Sequence, residues 1–146
     1  MVRVRLFRVA FDPQSQSAVV LLRDEAGHRI LPITIGPLEA HSIALAVEGQ
    51  APLRPLTHDL VKAILDKLNA KVAMVIIDDL RDETFFGQLN LELAEGTVDV
   101  DARPSDAIAL AVRTGAPIYV MERVLTAAGI SEPEEETPDP EGPPGP

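Results

Sequence analysis

The first 35 residues alternate between polar and apolar positions in a way that predicts three β-strands. In residues 2–12, Arg3 and Arg5 alternate with apolar residues, as in a strand that exposes one face to solvent. Residues 17–23 form a more continuous apolar run, which predicts a more buried strand, and a turn then leads to a third strand over residues 29–35. Three consecutive strands joined by short turns predict a meander.

From residue 36 onward the apolar residues recur mostly at helical spacing, interrupted by a second group of strands. Gly36 and Pro37 end the third strand and open a helix. The predicted elements are helices over residues 38–47, 58–68 and 105–113, strands over residues 71–78, 85–93, 97–102 and 117–121, and a weak helical turn around residues 124–128. We therefore predict an α+β fold, in which a mixed, largely antiparallel sheet is covered by about three helices.

The pentapeptide IALAV occurs twice, at residues 43–47 and 108–112, within the first and the third predicted helix. Its small alanines allow helices to approach closely, so we expect the two runs to pack on each other or on one face of the sheet. An internal duplication is the alternative, although the flanking strands do not repeat.

The chain of 146 residues is long enough for one hydrophobic core, which predicts a single domain over residues 1–130. Residues 131–146 hold six acidic residues, six prolines and no basic residue, a composition typical of a disordered tail. Without that tail the formal net charge of −10 becomes −4, from 17 acidic and 13 basic residues. The domain itself is only mildly acidic.

Charge and aromatic content narrow the functional classes. A protein that coats DNA nonspecifically relies on basic contacts with phosphates, which a negative surface opposes at long range. The chain has only four phenylalanines and one tyrosine, too few for a broad surface on which bases stack. Any nucleic-acid site must therefore be local.

The absence of cysteine excludes disulfides, zinc fingers and thiol nucleophiles, and fits a reducing compartment. The N-terminus lacks the apolar core of a signal peptide, and no run approaches the roughly 20 apolar residues of a membrane span. We expect a cytoplasmic protein that does not associate with membranes. The chain has no dinucleotide-binding, P-loop or nucleophile-elbow motif, and we expect no organic cofactor.

Two segments share an unusual pattern, RPLTHDL at residues 54–60 and DARPSDAIALAV at residues 101–112. In each, an arginine precedes a proline, a hydroxyl residue and an aspartate follow, and an apolar helical run begins. Helix N-termini carry unpaired N–H groups and a partial positive charge, so an arginine beside them predicts an anion pocket, with phosphate as the first candidate. The alternative is structural: Thr57 and Ser105 cap the helices, and the aspartates favour the helix dipole.

The strand VDVDA ends with a second group of charged residues. Asp99, Asp101 and Arg103 fall on one face because side chains alternate along a strand. Carboxylates about 6–7 Å apart are able to share hydrated Mg²⁺ or Mn²⁺, or one acts as a base while Arg103 holds phosphate. The alternative is a solvated strand face with an ion pair.

Histidine supplies a candidate for proton transfer. His58 opens the second helix beside Asp59 and near Arg54, and imidazole titrates near neutrality. A lone histidine in the first turn of a helix is nonetheless more often a packing residue. His41 and His28 are weaker candidates.

The first strand carries Arg3, Arg5 and Arg8. These arginines predict either an extended phosphate track or a charged strand edge that discourages aggregation. The second explanation is the commoner one.

Three blocks, LPITIGPLEAHSIALAVEG, RPLTHDL and DARPSDAIALAVRTGAPIYV, follow one another along the chain. In this order they resemble the bifunctional nuclease family, a bacterial and plant domain also called DNase-RNase, over roughly residues 1–126. The resemblance implies an α+β fold with a mixed sheet, and an ability, attributed to some members, to degrade both DNA and RNA. Phe86 departs from the family, in which a tyrosine is common here. The recurring polar positions of the family fall on Glu39, Arg54, Thr57, His58, Asp59, Asp101, Arg103, Ser105 and Asp106.

We therefore expect a nuclease that hydrolyses phosphodiester bonds of DNA and RNA with little sequence preference. A divalent cation, Mg²⁺ or Mn²⁺, fits this hypothesis because water is a poor nucleophile at neutral pH. The polar residues take three roles: phosphate binding by Arg54, Arg103, Thr57 and Ser105, catalysis by His58 and Asp59 in proton transfer, and cation binding or water orientation by Asp101 and Asp106.

The alternative is a noncatalytic regulatory or interaction domain, in which the same residues cap helices and bridge them to the sheet. Convergence of Arg54, His58, Asp101 and Arg103 in an open cleft favours catalysis, whereas burial in mutual hydrogen bonds favours scaffolding. A phosphoesterase for small molecules is a third hypothesis, distinguished by substrate size.

Exposed strand edges lead us to expect a homo-oligomer.

Overall fold

The computed structural model describes residues 1–132, which fold as one mixed sheet with four helices. The strands are β1 (Val2–Asp12), β2 (Ser17–Asp24), β3 (Arg29–Ile35), β4 (Lys71–Arg81), β5 (Thr84–Leu93), β6 (Gly96–Ala102), β7 (Ile118–Val120) and β8 (Ile130–Ser131). The helices are α1 (Pro37–Val47), α2 (Thr57–Lys67), α3 (Pro104–Thr114) and α4 (Glu122–Ala128). The α+β prediction is confirmed, and the weak turn predicted near the C-terminus is the fourth helix.

The strands lie in the order β6-β5-β4-β7-β1-β2-β3-β8. All neighbours are antiparallel except β4 and β7, which are parallel. The predicted meander of the first three strands is confirmed, as is the mixed, largely antiparallel sheet. β7 joins the first three strands to the β4–β6 group, because it pairs with β1 on one side and β4 on the other.

The position of β1 in the sheet corrects one expectation. We considered Arg3, Arg5 and Arg8 as charges that protect a strand edge, but β1 lies inside the sheet between β7 and β2. The edge strands of the described chain are β6 and β8. β7 pairs with β1 only at Val2, Arg3 and Val4, so edge protection fits Arg5 and Arg8 but not Arg3.

The tail predicted from residue 131 lies mostly outside the described residues. Ser131 still belongs to the sheet, since it is paired with Arg29 of β3. The backbone N–H of Glu132 then donates a hydrogen bond to the carbonyl of His28, at 2.8 Å.

α3 is the helix against which α1 and α2 pack. It contacts α1, α2, β4 and β5. Its IALAV run is buried nearly completely in the core, with Ile108 and Ala109 fully inaccessible. Contact between α1 and α3 confirms the prediction that the helices carrying the two IALAV runs pack on each other.

The helices α1 and α3 each begin with a proline. Pro37 and Pro104 stand in the first turns of α1 and α3, where their missing N–H is not needed. The residues at the N-cap positions of α2 and α3 are Leu56 and Arg103. The expectation that Thr57 and Ser105 are N-caps is therefore wrong, because both already lie inside the first helical turn.

We predict that Ala109→Leu lowers the free energy of unfolding by about 1–3 kcal/mol, because a larger side chain in a filled core forces its neighbours to shift. Ala63→Leu on the exposed side of α2 adds the same volume and should change stability by less than about 0.5 kcal/mol. Urea unfolding of the two variants tests this. Equal effects would contradict the close packing of α3.

Candidate functional site

The N-terminal turns of α1, α2 and α3 meet at one end of the helical layer. His58 of α2 and Asp106 of α3 are joined there by a hydrogen bond of 2.8 Å between Nε2 and Oδ1. A cavity of about 360 Å³ opens beside this bond. The residues that line it are Leu38, Glu39, His41, Ser42, Leu56, Thr57, His58, Arg103 and Asp106. The two segments that share the arginine-proline pattern therefore come together in space.

His58 is buried, and both of its ring nitrogens have partners. Nδ1 lies 2.6 Å from the hydroxyl of Ser42, and Nε2 faces Asp106. An ionised carboxylate only accepts hydrogen bonds, so Nε2 carries a proton. In the neutral ring Nδ1 therefore accepts the hydroxyl proton of Ser42. The imidazole is held in one orientation, with no ring nitrogen free.

Arg103 lies at the rim of the cavity, with 66% of its side chain exposed. Its Nε donates to Asp106 Oδ2 at 3.0 Å, and its Nη1 lies 3.2 Å from Glu39 Oε1. The guanidinium is thus flanked by two carboxylates, and Asp106 raises its pKa above the ordinary value. A phosphate that binds Arg103 has to replace at least one of these contacts.

Asp106 is charged under most conditions. Partial burial opposes its ionisation, but hydrogen bonds from His58 and Arg103 outweigh burial and lower its pKa. The carboxylate is able to orient the His58 ring while Arg103 fixes the carboxylate. His58, Asp106 and Arg103 therefore form one connected group in which each residue positions the next.

The sequence analysis missed two members of this network, Ser42 and Arg113. Only 6% of the Arg113 side chain is exposed, and its Nη2 donates to the Ser42 hydroxyl at 2.9 Å and to the Ser42 carbonyl at 3.1 Å. Its Nε donates to Asp59 at 2.8 Å. The available signal was an arginine directly after the apolar run IALAV, in the last turn of the predicted helix, where an isolated charge needs partners.

Asp59 faces away from the His58 cavity. It accepts hydrogen bonds from Arg113 and from the backbone N–H of Leu56, at 2.9 Å for the latter. The bond from Arg113 is the main reason that the pKa of Asp59 is lowered. Asp59 and Arg113 line a second cavity, of about 480 Å³, on the other side of α2. The Asp59 side chain makes no hydrogen bond with His58, so no direct contact supports the expected role of Asp59 in proton transfer.

Arg54 does not reach the cavity of His58. It is exposed in the segment before α2 and has no ion pair within residues 1–132. The expectation that Arg54 and Arg103 converge on one phosphate is therefore wrong. The reason is that Leu56 and Thr57, rather than Arg54, form the part of this segment that lines the cavity.

Asp101 also lies outside the cavity, exposed on the edge strand β6 opposite Gln88. Its neighbour Ala102 packs against the core, so alternation turns Asp101 toward the other face. Arg103 leaves the strand to become the N-cap residue of α3. The expected alignment of Asp101 with Arg103 on one strand face is wrong.

The hydroxyl residues of the two segments have different surroundings. Thr57 is exposed and lines the His58 cavity. Ser105 is buried and lines a neighbouring cavity of about 380 Å³, which it shares with Arg103. Arg103 lies between the two cavities and is the only residue common to their linings.

The described residues do not assemble a ready cation site. In the part of the chain up to Glu132, no three histidine or acidic side chains are arranged to hold a metal ion. Asp106 already contacts His58 and Arg103 through its two oxygens, and Asp101 is not beside it in the cavity. The expected pair of cation ligands does not fit this arrangement.

Among residues 1–132, no helix is long and apolar enough to cross a membrane.

Comparisons with known proteins agree with the resemblance carried by the three sequence blocks. The family model described as bifunctional nuclease domain matches residues 20–133. An uncharacterized protein of Mycobacterium tuberculosis is 42% identical over 135 residues, which are 92% of this chain and 80% of that protein. Bifunctional nuclease 1 of Arabidopsis thaliana is 32% identical over 116 residues, and bifunctional nuclease 2 of Oryza sativa subsp. japonica is 30% identical over 118 residues. These matches cover 77% and 79% of this chain but only 36% of each plant protein.

We predict that Arg113→Met lowers the free energy of unfolding by about 2–4 kcal/mol, because Asp59 and the Ser42 hydroxyl lose a buried charged donor. Arg123→Met is the matched control. The Arg123 side chain is 64% exposed, and its removal should cost less than about 1 kcal/mol. Chemical unfolding of both variants decides the question, and similar losses would argue against a buried network.

Acid should weaken the fold through Asp59 and Asp106. Both carboxyls have a pKa below the ordinary 3.8 in the folded chain, so near that pH the unfolded chain binds more protons. Their stabilisation is present at higher pH and is lost as the pH falls through 3.8 toward the lowered values. Urea midpoints at about pH 7 and about pH 3 should differ more for the native chain than for Asp106→Asn. The same acid loss in both proteins would refute this role.

Proposed function

The chain belongs to the bifunctional nuclease domain family, and on that premise we propose that it hydrolyses phosphodiester bonds of DNA and RNA with little sequence preference. The names of the plant relatives support a nuclease. The observation that carries the proposal is the meeting of His58, Asp106 and Arg103 in one cavity at the N-termini of three helices. A buried histidine oriented by a carboxylate, beside an exposed arginine, is a common basis of hydrolytic chemistry.

Phosphate binding is the role proposed for Arg103. Its fork of N–H donors suits a phosphate diester, and it exposes more than half of its side chain. The N-terminal turns of α1 and α3 add partial positive charge at the same place. Glu39 is the contact that an incoming phosphate replaces most readily, because Asp106 is also held by His58. Thr57 offers a hydroxyl at the cavity wall.

Proton transfer is the role proposed for His58. Asp106 fixes the Nε2–H tautomer and stabilises the imidazolium that forms when Nδ1 takes a proton. Because the Ser42 hydroxyl occupies Nδ1, a proton from an attacking water passes through that hydroxyl or follows its displacement. Asp59 acts at a distance in this scheme, since Arg113 bonds both Asp59 and Ser42.

The other expected residues have weaker support. Ser105 lines the cavity next to Arg103 but is buried, and phosphate binding by its hydroxyl stays a prediction. Phosphate binding by Arg54 and catalysis or cation binding by Asp101 also stay predictions, without support from the lining of the His58 cavity. A requirement for Mg²⁺ or Mn²⁺ also stays a prediction, and none of the steps above depends on a cation.

Two further expectations belong to the proposal. A cytoplasmic location is supported by the absence of cysteine from the chain. A homo-oligomer is supported by the open edges of β6 and β8 in the described sheet.

A noncatalytic regulatory domain is the second candidate. It is favoured by one observation: both ring nitrogens of His58 are satisfied by buried protein partners. A residue whose hydrogen bonds are complete inside the protein is equally suited to joining three helices. Activity measurements separate the two candidates.

We predict that Arg103→Ala reduces cleavage of labelled single-stranded and double-stranded DNA and RNA by about 10²-fold, because a charged donor to the reacting phosphate is lost. The exposed position of Arg103 lets the variant keep its thermal unfolding midpoint. Each substrate is tested with metal-stripped protein and again after addition of Mg²⁺ or Mn²⁺. Arg123→Ala serves as the matched arginine deletion outside the cavity.

Full activity of Arg103→Ala would remove this residue from the mechanism. Absence of cleavage by the native chain under all conditions would favour the noncatalytic candidate. Addition of a cation that changes no rate would refute the expected metal requirement while leaving the hydrolytic proposal intact.

A further inference from the structure

Four arginines lie on one face of the sheet, and we call Arg3, Arg5, Arg8 and Arg23 the arginine face. Val4 is buried in the core, so alternation directs Arg3 and Arg5 to the opposite side of the sheet. Arg5 is the direct cross-strand partner of Arg23. A register shift in β1 after Leu6 places Arg8 opposite Leu21, two positions from Arg23, and therefore on the same face. The side chains of Arg3, Arg5 and Arg8 are exposed.

Edge protection explains only part of this cluster. Like charges in direct cross-strand register destabilise a sheet, and Arg3 lies where β1 is paired with β7, although β1 has no β7 partner beyond Val4. Arg5 pairs with Glu25 at 3.1 Å, and Arg23 pairs with Glu132 at 2.9 Å. Arg3 and Arg8 have no ion pair among the described residues. A chain of net charge −10 thus concentrates uncompensated positive charge on one surface.

Aromatic side chains accompany the arginines. Phe7, in the irregular part of β1, is 49% exposed, and the Arg23 guanidinium lies 5.2 Å from the centre of its ring. Tyr119 of β7 is directly opposite Arg3. Alternation of guanidinium groups with accessible rings is the chemistry that binds phosphates and stacks unpaired bases.

The direction of β1 relates this surface to the cavity. Phe11, near the end of β1, is in register with Ala18 of β2, which is in register with Ile35 at the end of β3. α1 begins two residues later, and its first turn contributes Glu39 to the cavity. The row from Arg3 to Arg8 therefore runs toward the end of the sheet at which α1 begins. The first turn of α1 lines the cavity of His58.

We propose that the arginine face binds the sugar–phosphate backbone of single-stranded nucleic acid, as a docking surface separate from the cavity. Adjacent side chains on one strand face are about 6.6 Å apart, a spacing comparable to that of successive phosphates in an extended strand. The inference rests on the proposed function only for the kind of polymer that is bound.

The test is binding of a fluorescein-labelled oligothymidylate to the full chain, measured by fluorescence anisotropy in EDTA over a range of salt concentrations. We expect R3E/R8E to weaken binding by at least about 10-fold. Loss of two phosphate contacts should also reduce the slope of log K against log salt by about 1.4, since each contact on a single strand contributes about 0.7.

The matched control is K62E/K67E, which changes the net charge equally at two lysines of α2, in the helical layer. It should alter binding by less than about 3-fold. Equal weakening by the two double variants would show an effect of net charge alone and overturn the proposal, as would unchanged binding by R3E/R8E. Thermal unfolding of both variants verifies that they fold.

A second pair of measurements tests the acidic residues Glu134, Glu135 and Glu136 as the competing occupant. Replacing all three with glutamine should tighten binding to the same extent in the native and R3E/R8E backgrounds. Tightening confined to the native background would mean that these carboxylates compete with the oligonucleotide for the arginine face, and would support binding of the oligonucleotide there.

Cleavage of bis(4-nitrophenyl) phosphate separates this inference from the proposed function. A substrate this small does not reach from the cavity to the arginine face, so R3E/R8E should hydrolyse it at the native rate. If the native chain binds oligothymidylate through Arg3 and Arg8 but cleaves neither substrate, the hydrolase proposal fails and the docking surface stands. Cleavage with normal oligonucleotide binding by R3E/R8E gives the reverse result.

Discussion

The hydrogen bond between His58 and Asp106 joins the first turns of α2 and α3, and the candidate site depends on it. These residues are 48 positions apart in the sequence and 2.8 Å apart in space. Asp106 then fixes Arg103 at the rim, while the other side of the imidazole meets Ser42 of α1. One histidine thus links three helices, which the contacts of Arg103 with Glu39 and of Arg113 with Ser42 and Asp59 also join.

The free-energy cost of burying the His58 imidazole and the Arg113 guanidinium explains why both groups have several hydrogen-bond partners. A buried imidazole or guanidinium without partners is strongly destabilising, and the free energy of a network exceeds that of its separate bonds. Arg113 donates to both Ser42 and Asp59, so its buried charge is paired with a carboxylate. The same hydrogen bonds that orient His58 also restrict the access of a reactant to its ring. Catalysis at this site therefore requires one of these hydrogen bonds to open or to pass on a proton.

Most of the fold followed from local patterning, whereas the site followed only in part. Alternation in β1 and helical spacing in α2 located the elements closely, because each signal is contained in a few neighbouring residues. The cap positions and the outward direction of Asp101 depend on where a strand ends and a helix begins, which sequence patterns define less sharply. Arg113 and Ser42 were missed because their partners lie on other helices.

β7 gives the architecture a kinetic consequence. This strand has only three residues, yet it is the seam between a sheet half built from the first 35 residues and a half built from residues 71–102. Val2 of β1 pairs with Val120 of β7, so the two halves of the sheet join only after Val120 has been synthesised. During synthesis on a ribosome, the side of β1 that pairs with β7 therefore stays unpaired until most of the domain has been translated, and we expect the late docking of β7 between distant partners to be a slow step of folding.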